Sequence, residues 1–299
     1  MKSLLVSVAL VLASLQGAAE VSFTKDDAKL AYETAAALVK EHTPRDAGTL
    51  RGRLAAKWLM DRASWCGADV VVDEFTAQTP KGEKKFSNVM LEYPGTRTNA
   101  SWIVVMSHFD TAPTAKQPFQ GANDGASTSG LLVALAGAIR RAGPQPYGVM
   151  LVWTDGEECQ VAYGPNDGFQ GSRHLVDLFR RQGRSVKTAI CLDMLGDKDL
   201  HIMVPANTTE PLKQIALMAA KRIGQENLVK INDSVVVSDD HSAFLEAGCP
   251  SIDLIDFEYG HGNAWWHTPE DTMDKISQNS LETSGRLVAA FINLLQLSR

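Results

Sequence analysis

Two adjacent carboxylates, Glu157 and Glu158, stand just beyond an apolar, partly β-branched run at 148–153. That run reads as a buried strand, and open α/β sheets do their chemistry just past the carboxyl ends of strands. Neighbouring carboxylates repel, so such a pair is easiest to understand if a cation engages one while the other handles protons. Taken alone, the Asp-Gly-Glu-Glu stretch reads equally well as a solvated acidic loop. Four more residues shift that balance: His108, Asp124, Asp193 and His267, each at a strand end or in an adjoining loop. Singly they have plain explanations; Asp124, for instance, precedes an Ala/Leu-rich helix, where an Asp commonly caps. With Glu158 they make a set of oxygen and nitrogen ligands without a thiolate, arriving from separate connections. That is the pattern of a zinc site assembled at one edge of a sheet.

The elements that must position these groups alternate along the chain. Helices are expected at 24–41 and 49–66, the latter with Leu50, Leu54, Trp58 and Leu59 as its apolar positions, followed by a strand pair at 70–75 and 86–93 joined by a polar segment. Strands at 101–107 and 148–153 flank a helix at 126–141. A helix opening near Gly171 is followed by strands at 189–192 and 200–204, a helix at 211–223, an extended piece at 235–237, a short helix at 244–247, a strand at 251–255 and a last helix at 280–297. This alternation predicts a single-domain α/β sandwich in three layers, a mixed, mostly parallel twisted sheet flanked by helices, with the site at the carboxyl ends of the strands.

Residues 1–19 hold one basic residue, Lys2, a largely apolar run at 4–15 and small residues at 17–19, which predicts a cleaved secretory signal and a mature catalytic domain at 20–299. The apolar run is shorter than the roughly 20 residues that span a bilayer, so no membrane anchor is expected, and the chain should be secreted or periplasmic. Net charge is −6 with no basic stripe, which argues against nucleic acid as a partner. Cys66, Cys159, Cys191 and Cys249 lack CxxC spacing, so no zinc knuckle is indicated. Cys159 and Cys191 each lie near a strand end and could be neighbours.

The stretches SHFD, GANDGAS, TDGEE, LDMLGD and WWHTPEDT occur in the order found in zinc exopeptidases of the bacterial leucyl aminopeptidase type. Glutaminyl cyclases share that fold and order, and the chain resembles this superfamily from about Lys25 to its end. The aminopeptidase pattern implies two zinc ions bridged by Asp124, with His108, Asp193, Glu158 and His267 completing their shells and Glu157 as general base. The segment CQVAYGPNDGFQ, Asp239-Asp240-His241 and the Trp266-His267 pair are closer to the glutaminyl-peptide cyclotransferases. That resemblance implies one zinc held by Asp124, Glu158 and His267, an acidic catalytic network of Glu157, Asp193 and Asp239, and a substrate pocket involving Trp266, Tyr163 and Asp253. Tyr163 stands where animal cyclases have Trp, Asp253 where they have His near the metal, and Ser107 where they have Cys. Asp110 is expected to hold the His108 ring in one tautomer. Either resemblance implies peptide or protein N-termini as substrate, and a monomer is expected.

Overall fold

The computed structural model describes residues 19–66 and 68–298. Of the expected signal segment at 1–19, residues 1–18 lie outside them. Helix α1 (Lys25–His42) starts at a capping box: the Thr24 side chain accepts from the Asp27 backbone, and Asp27 accepts from the Thr24 backbone. Helix α2 (Leu50–Ser64) buries Gly52, Ala55, Ala56, Leu59 and Ala63. Leu50 and Leu54, expected on its inner face, are instead exposed. Small residues let the helix lie close to its neighbours, whereas single apolar side chains on a surface cost little.

Strands β1 (Asp69–Thr79) and β2 (Gly82–Tyr93) form one long antiparallel hairpin. The polar segment expected to be a linker is therefore paired strand. Strand β3 (Trp102–His108) leads through a loop and a π turn at 122–127 into α3 (Thr128–Ala142), followed by β4 (Gly148–Thr154) and α4 (Gln170–Gln182). Then come β5 (Val186–Asp193), β6 (Ile202–Pro205), α5 (Glu210–Arg222), β7 (Val229–Asn232), α6 (His241–Glu246), β8 (Ser251–Ile255) and α7 (Gln278–Leu297). Strand β6 pairs with β8 on one side and with β7 on the other, and β7 is too short a run to stand out by periodicity.

The strands form one mixed sheet in the order β1-β2-β4-β3-β5-β8-β6-β7. Its central members, β4, β3, β5 and β8, run parallel. Alternation along them sends Ile103, Val105, Val149 and Leu151 into the core shared with α1, α2, α3, α5 and α7, while Val104, Met106, Met150 and Val152 pack with Leu175 and Phe179 of α4 and Phe244 of α6. Helices thus cover both faces of a single α/β domain, and residues buried on either side explain why the central strands read as continuous apolar runs. Register finishes the work: His108 pairs with Thr154 and Asp193 with Ile255, so the carboxyl ends of the parallel strands share one edge. No helix among the described residues is long and apolar enough to cross a membrane.

Candidate metal and acid–base site

At that edge the sequence-expected groups converge. His108 ends β3, and its Nε2 lies 3.1 Å from Asp124 Oδ1 and 3.2 Å from Asp193 Oδ1. His267 Nε2 lies 3.3 Å from Asp124 Oδ2 and 3.1 Å from Glu158 Oε1. Asp124 is thus the centre of the array, one oxygen toward each imidazole. It does not cap α3: its backbone is non-helical, and Ser127 precedes the helix without a side-chain cap. His108, Asp124 and Glu158 are buried and offer ligand atoms within 4.8 Å of one another, a group that could hold a metal ion.

Electrostatics supports that fit. Burial would raise the Asp124 pKa, but hydrogen bonds and charge from His108 and His267 outweigh it and pull the group down. Burial likewise opposes protonation of His267, yet Asp124 and Glu158 raise its pKa to about 10, so without metal the ring sits as a cation between carboxylates. Asp124 Oδ2 has no conventional hydrogen-bond donor although it is buried. Imidazole nitrogens and carboxylate oxygens are the donor set zinc accepts, and a bound cation would take the place of those imidazolium protons.

Glu157 is set apart from this array. Burial raises its pKa well above the usual carboxylate range, and the nearby charges of Glu158 and Asp239 push the same way. Its side-chain neighbour is Tyr163, whose hydroxyl lies 3.4 Å from Glu157 Oε2 and 3.2 Å from Glu158 Oε2. Tyr163 comes from the segment after the glutamates, which Asp167 ties down by accepting from the backbone N–H groups of Gln160, Val161 and Ala162. The groups face a cavity of about 170 Å³ walled by Tyr163, Val236, Phe257 and Trp266, with Asp193 and Asp239 also in its lining. Trp266 stacks on His267 at 4.1 Å between centroids and makes a T-shaped contact with Phe257 at 5.2 Å. A larger hollow of about 550 Å³, lined by Asp197, His201, Glu258 and Trp265, contains none of the converging ligands, so donor chemistry locates the site and volume does not.

Two expected positions differ. Asp253 is not in the cavity wall: Ile252 and Leu254 face the core on one side of the sheet, so the two-residue period turns Asp253 to the other, fully buried beside Cys191 and Asp239. Asp110 lies 3.8 Å from His108 Nδ1, too far to hydrogen-bond the ring. Its carboxylate instead accepts from the backbone N–H groups of Gly156, Glu157 and Glu158, fixing the loop that carries the glutamates. The cysteines are free, Cys159 and Cys191 included.

Residues 88–292 match peptidase family M28. The chain belongs to that family. Within it, the chain is similar to a crystal structure of a glutaminyl cyclase from an Acidobacteriales bacterium, 34% identical with a TM-score of 0.84, covering 92% of this chain and 96% of that one. It is 29% identical to the mouse glutaminyl-peptide cyclotransferase-like protein over 83% of this chain and 70% of that protein. Aminopeptidase YwaD of Bacillus subtilis strain 168 is 28% identical, over 75% of this chain and 47% of that protein.

The candidate site also rests on residues to which the sequence assigned no role. Asp271 accepts from the backbone N–H groups of Asn123 and Asp124 and from the Tyr259 hydroxyl, at 2.7, 3.3 and 2.8 Å. It lies four residues after His267 inside WWHTPEDT, a signal that could have been used. Asp240 accepts from Thr154 Oγ1 at the end of β4, and the buried Arg45 holds the 109–124 loop. Nothing in the sequence around Arg45 marks it.

Proposed function

We propose that this chain is a zinc-dependent glutaminyl-peptide cyclotransferase, which closes an N-terminal glutamine of a peptide or protein to pyroglutamate with release of ammonia. The observation that carries this reading is the small cavity beside Glu157, lined by Tyr163, Phe257 and Trp266. At about 170 Å³ it is well below the roughly 300 Å³ at which ordinary ligand pockets begin, room for one side chain. The likeness to cyclases at 34% and 29% identity supports the same choice.

Asp124, Glu158 and His267 would hold the zinc, which supplies a Lewis acid for the side-chain amide carbonyl. Glu157 accepts a proton from the α-amine as that nitrogen bonds to the amide carbon, then passes it to the departing amide nitrogen. The carbon–nitrogen bond to that group breaks, ammonia leaves, and the peptide bond stays whole. Asp193 and Asp239, in the cavity lining, orient the exchanging N–H groups. Trp266 and Tyr163 confine the glutamine side chain and exclude water that would compete for the carbonyl. In this reading the protein is exported after cleavage behind residue 19 and works as a monomer on peptide or protein N-termini.

A second reading has its own observation. His108 meets Asp124 Oδ1 and Asp193, whereas His267 meets Asp124 Oδ2 and Glu158, a pairing that would suit two zinc ions and therefore an aminopeptidase. Purified protein incubated with a glutamine-initiated peptide and, separately, with a leucine-initiated chromogenic amide decides between them. The cyclase reading expects ammonia and a product about 17 mass units lighter, no cleavage of the amide, and zinc nearer one ion per chain than two. Free leucine, two ions and no cyclised product would replace it with the aminopeptidase.

A further inference from the structure

We propose that Arg45 is a positioning residue for the metal site, setting the placement of Asp124 relative to His108 from behind. The proposal rests on the reading that Asp124 holds zinc. Arg45 is fully buried, and among the described residues its guanidinium makes no ion pair. Every hydrogen bond it donates goes instead to a backbone carbonyl of one loop. Nε donates to Phe109 O, Nη1 to Gln120 O at 2.8 Å, and Nη2 to Gly121 O at 2.7 Å and Asp124 O at 3.4 Å. Its backbone N–H donates to Thr111 Oγ1 at 3.0 Å.

These acceptors bracket the loop. Phe109 follows His108 directly, while Gln120 and Gly121 lead into the turn at 122–127 that carries Asp124. One side chain therefore joins the two ends of the segment separating two converging ligands, and the planar fork of an arginine is what reaches several carbonyls at once. Gly121 makes room for it: at φ 58°, a Cβ there would fall 2.9 Å from Arg45 Nη2 and 2.6 Å from Asp124 O. A buried cation lacking a carboxylate partner is costly to keep. Burial opposes its charge, and the nearby carboxylates of Asp271, Asp124, Asp110 and Asp46 favour it.

Wild type, Arg45→Lys and Arg45→Gln are stripped of metal, and zinc affinity is measured by competition with a chromophoric chelator. Circular dichroism and Tm of the stripped proteins report the fold. Arg45→Lys keeps the charge but loses the fork; it should stay folded and bind zinc about tenfold or more weakly, the range seen when partners behind metal ligands are lost, and Arg45→Gln more weakly still. A smaller loss in whichever variant keeps its stripped fold overturns the proposal, even if Tm falls. Failure of both stripped variants to fold also overturns it, because Arg45 would then serve the fold and not the site. Wild type that binds no zinc defeats the metal reading itself, a result distinguishable before any variant is compared.

Discussion

Glu157 and Glu158 are neighbours in sequence and both buried, yet only Glu158 faces a histidine. Glu157→Gln is therefore expected to lower turnover by about 10²–10⁴ while zinc content is unchanged, since it deletes proton transfer without deleting a ligand. Glu158→Gln should lose zinc as well. Metal analysis of both variants checks the division, and equal zinc loss in the two would refute it. His241 allows a prediction about stability. Burial lowers its pKa from 6.5 to about 4, and Asn207 Nδ2 sits 3.0 Å from its Nε2. The folded state therefore keeps the ring neutral where the unfolded state takes up a proton. Stability from this group is complete above pH 6.5, falls as pH drops toward 4 and then levels, a span of about 3 kcal/mol at ~1.4 kcal/mol per pH unit. Urea unfolding of wild type and His241→Asn across that range should show the difference between them shrinking as pH falls. A difference independent of pH would mean that the ring is not held neutral.

Among the elements, α1 and α3 illustrate how close packing is encoded by what is missing. A Cβ on Gly130 of α3 would fall 2.2 Å from the Ala31 carbonyl oxygen of α1, so the two helices touch backbone to backbone. Gly130→Ala must push them apart, at a cost of about 1–3 kcal/mol. Thermal unfolding should show a lowered Tm, and a Tm equal to wild type would mean that the helices part freely. Helix α2 teaches the complementary point. Its apolar stripe through Leu50 and Leu54 faces water, while Gly52, Ala55, Ala56 and Ala63 face the core. Spacing identified the helix, but which stripe turns inward depended on how near its neighbours come. The β1–β2 hairpin was underread for a related reason, because its outer half is polar and gains its order from pairing.

For the whole molecule, the proposed zinc ligands Asp124, Glu158 and His267 stand outside the strands at one edge of the sheet, while the apolar cores lie on its two faces. Removing metal should thus leave the fold while lowering Tm, because a ligand present at about 100 times its Kd stabilises by ~2.7 kcal/mol. Calorimetry before and after chelation measures this, with circular dichroism as the check on fold; an unchanged Tm would argue against a bound ion. By itself the sequence determined the α/β class, the order of most elements and which side chains converge at the sheet edge. Periodicity reports which segments are buried, and chemistry-bearing residues cluster just past strands. Tertiary structure alone decided that Asp124 points at two imidazoles and caps nothing, that Asp110 clamps the Glu157–Glu158 backbone, and that Asp253 lies beneath the cavity beside Cys191. It also brought Arg45 from a loop between two helices to the back of Asp124. The reason is physical: strand parity and loop closure fix where a side chain points only once each strand has its neighbours, and no local pattern contains those neighbours.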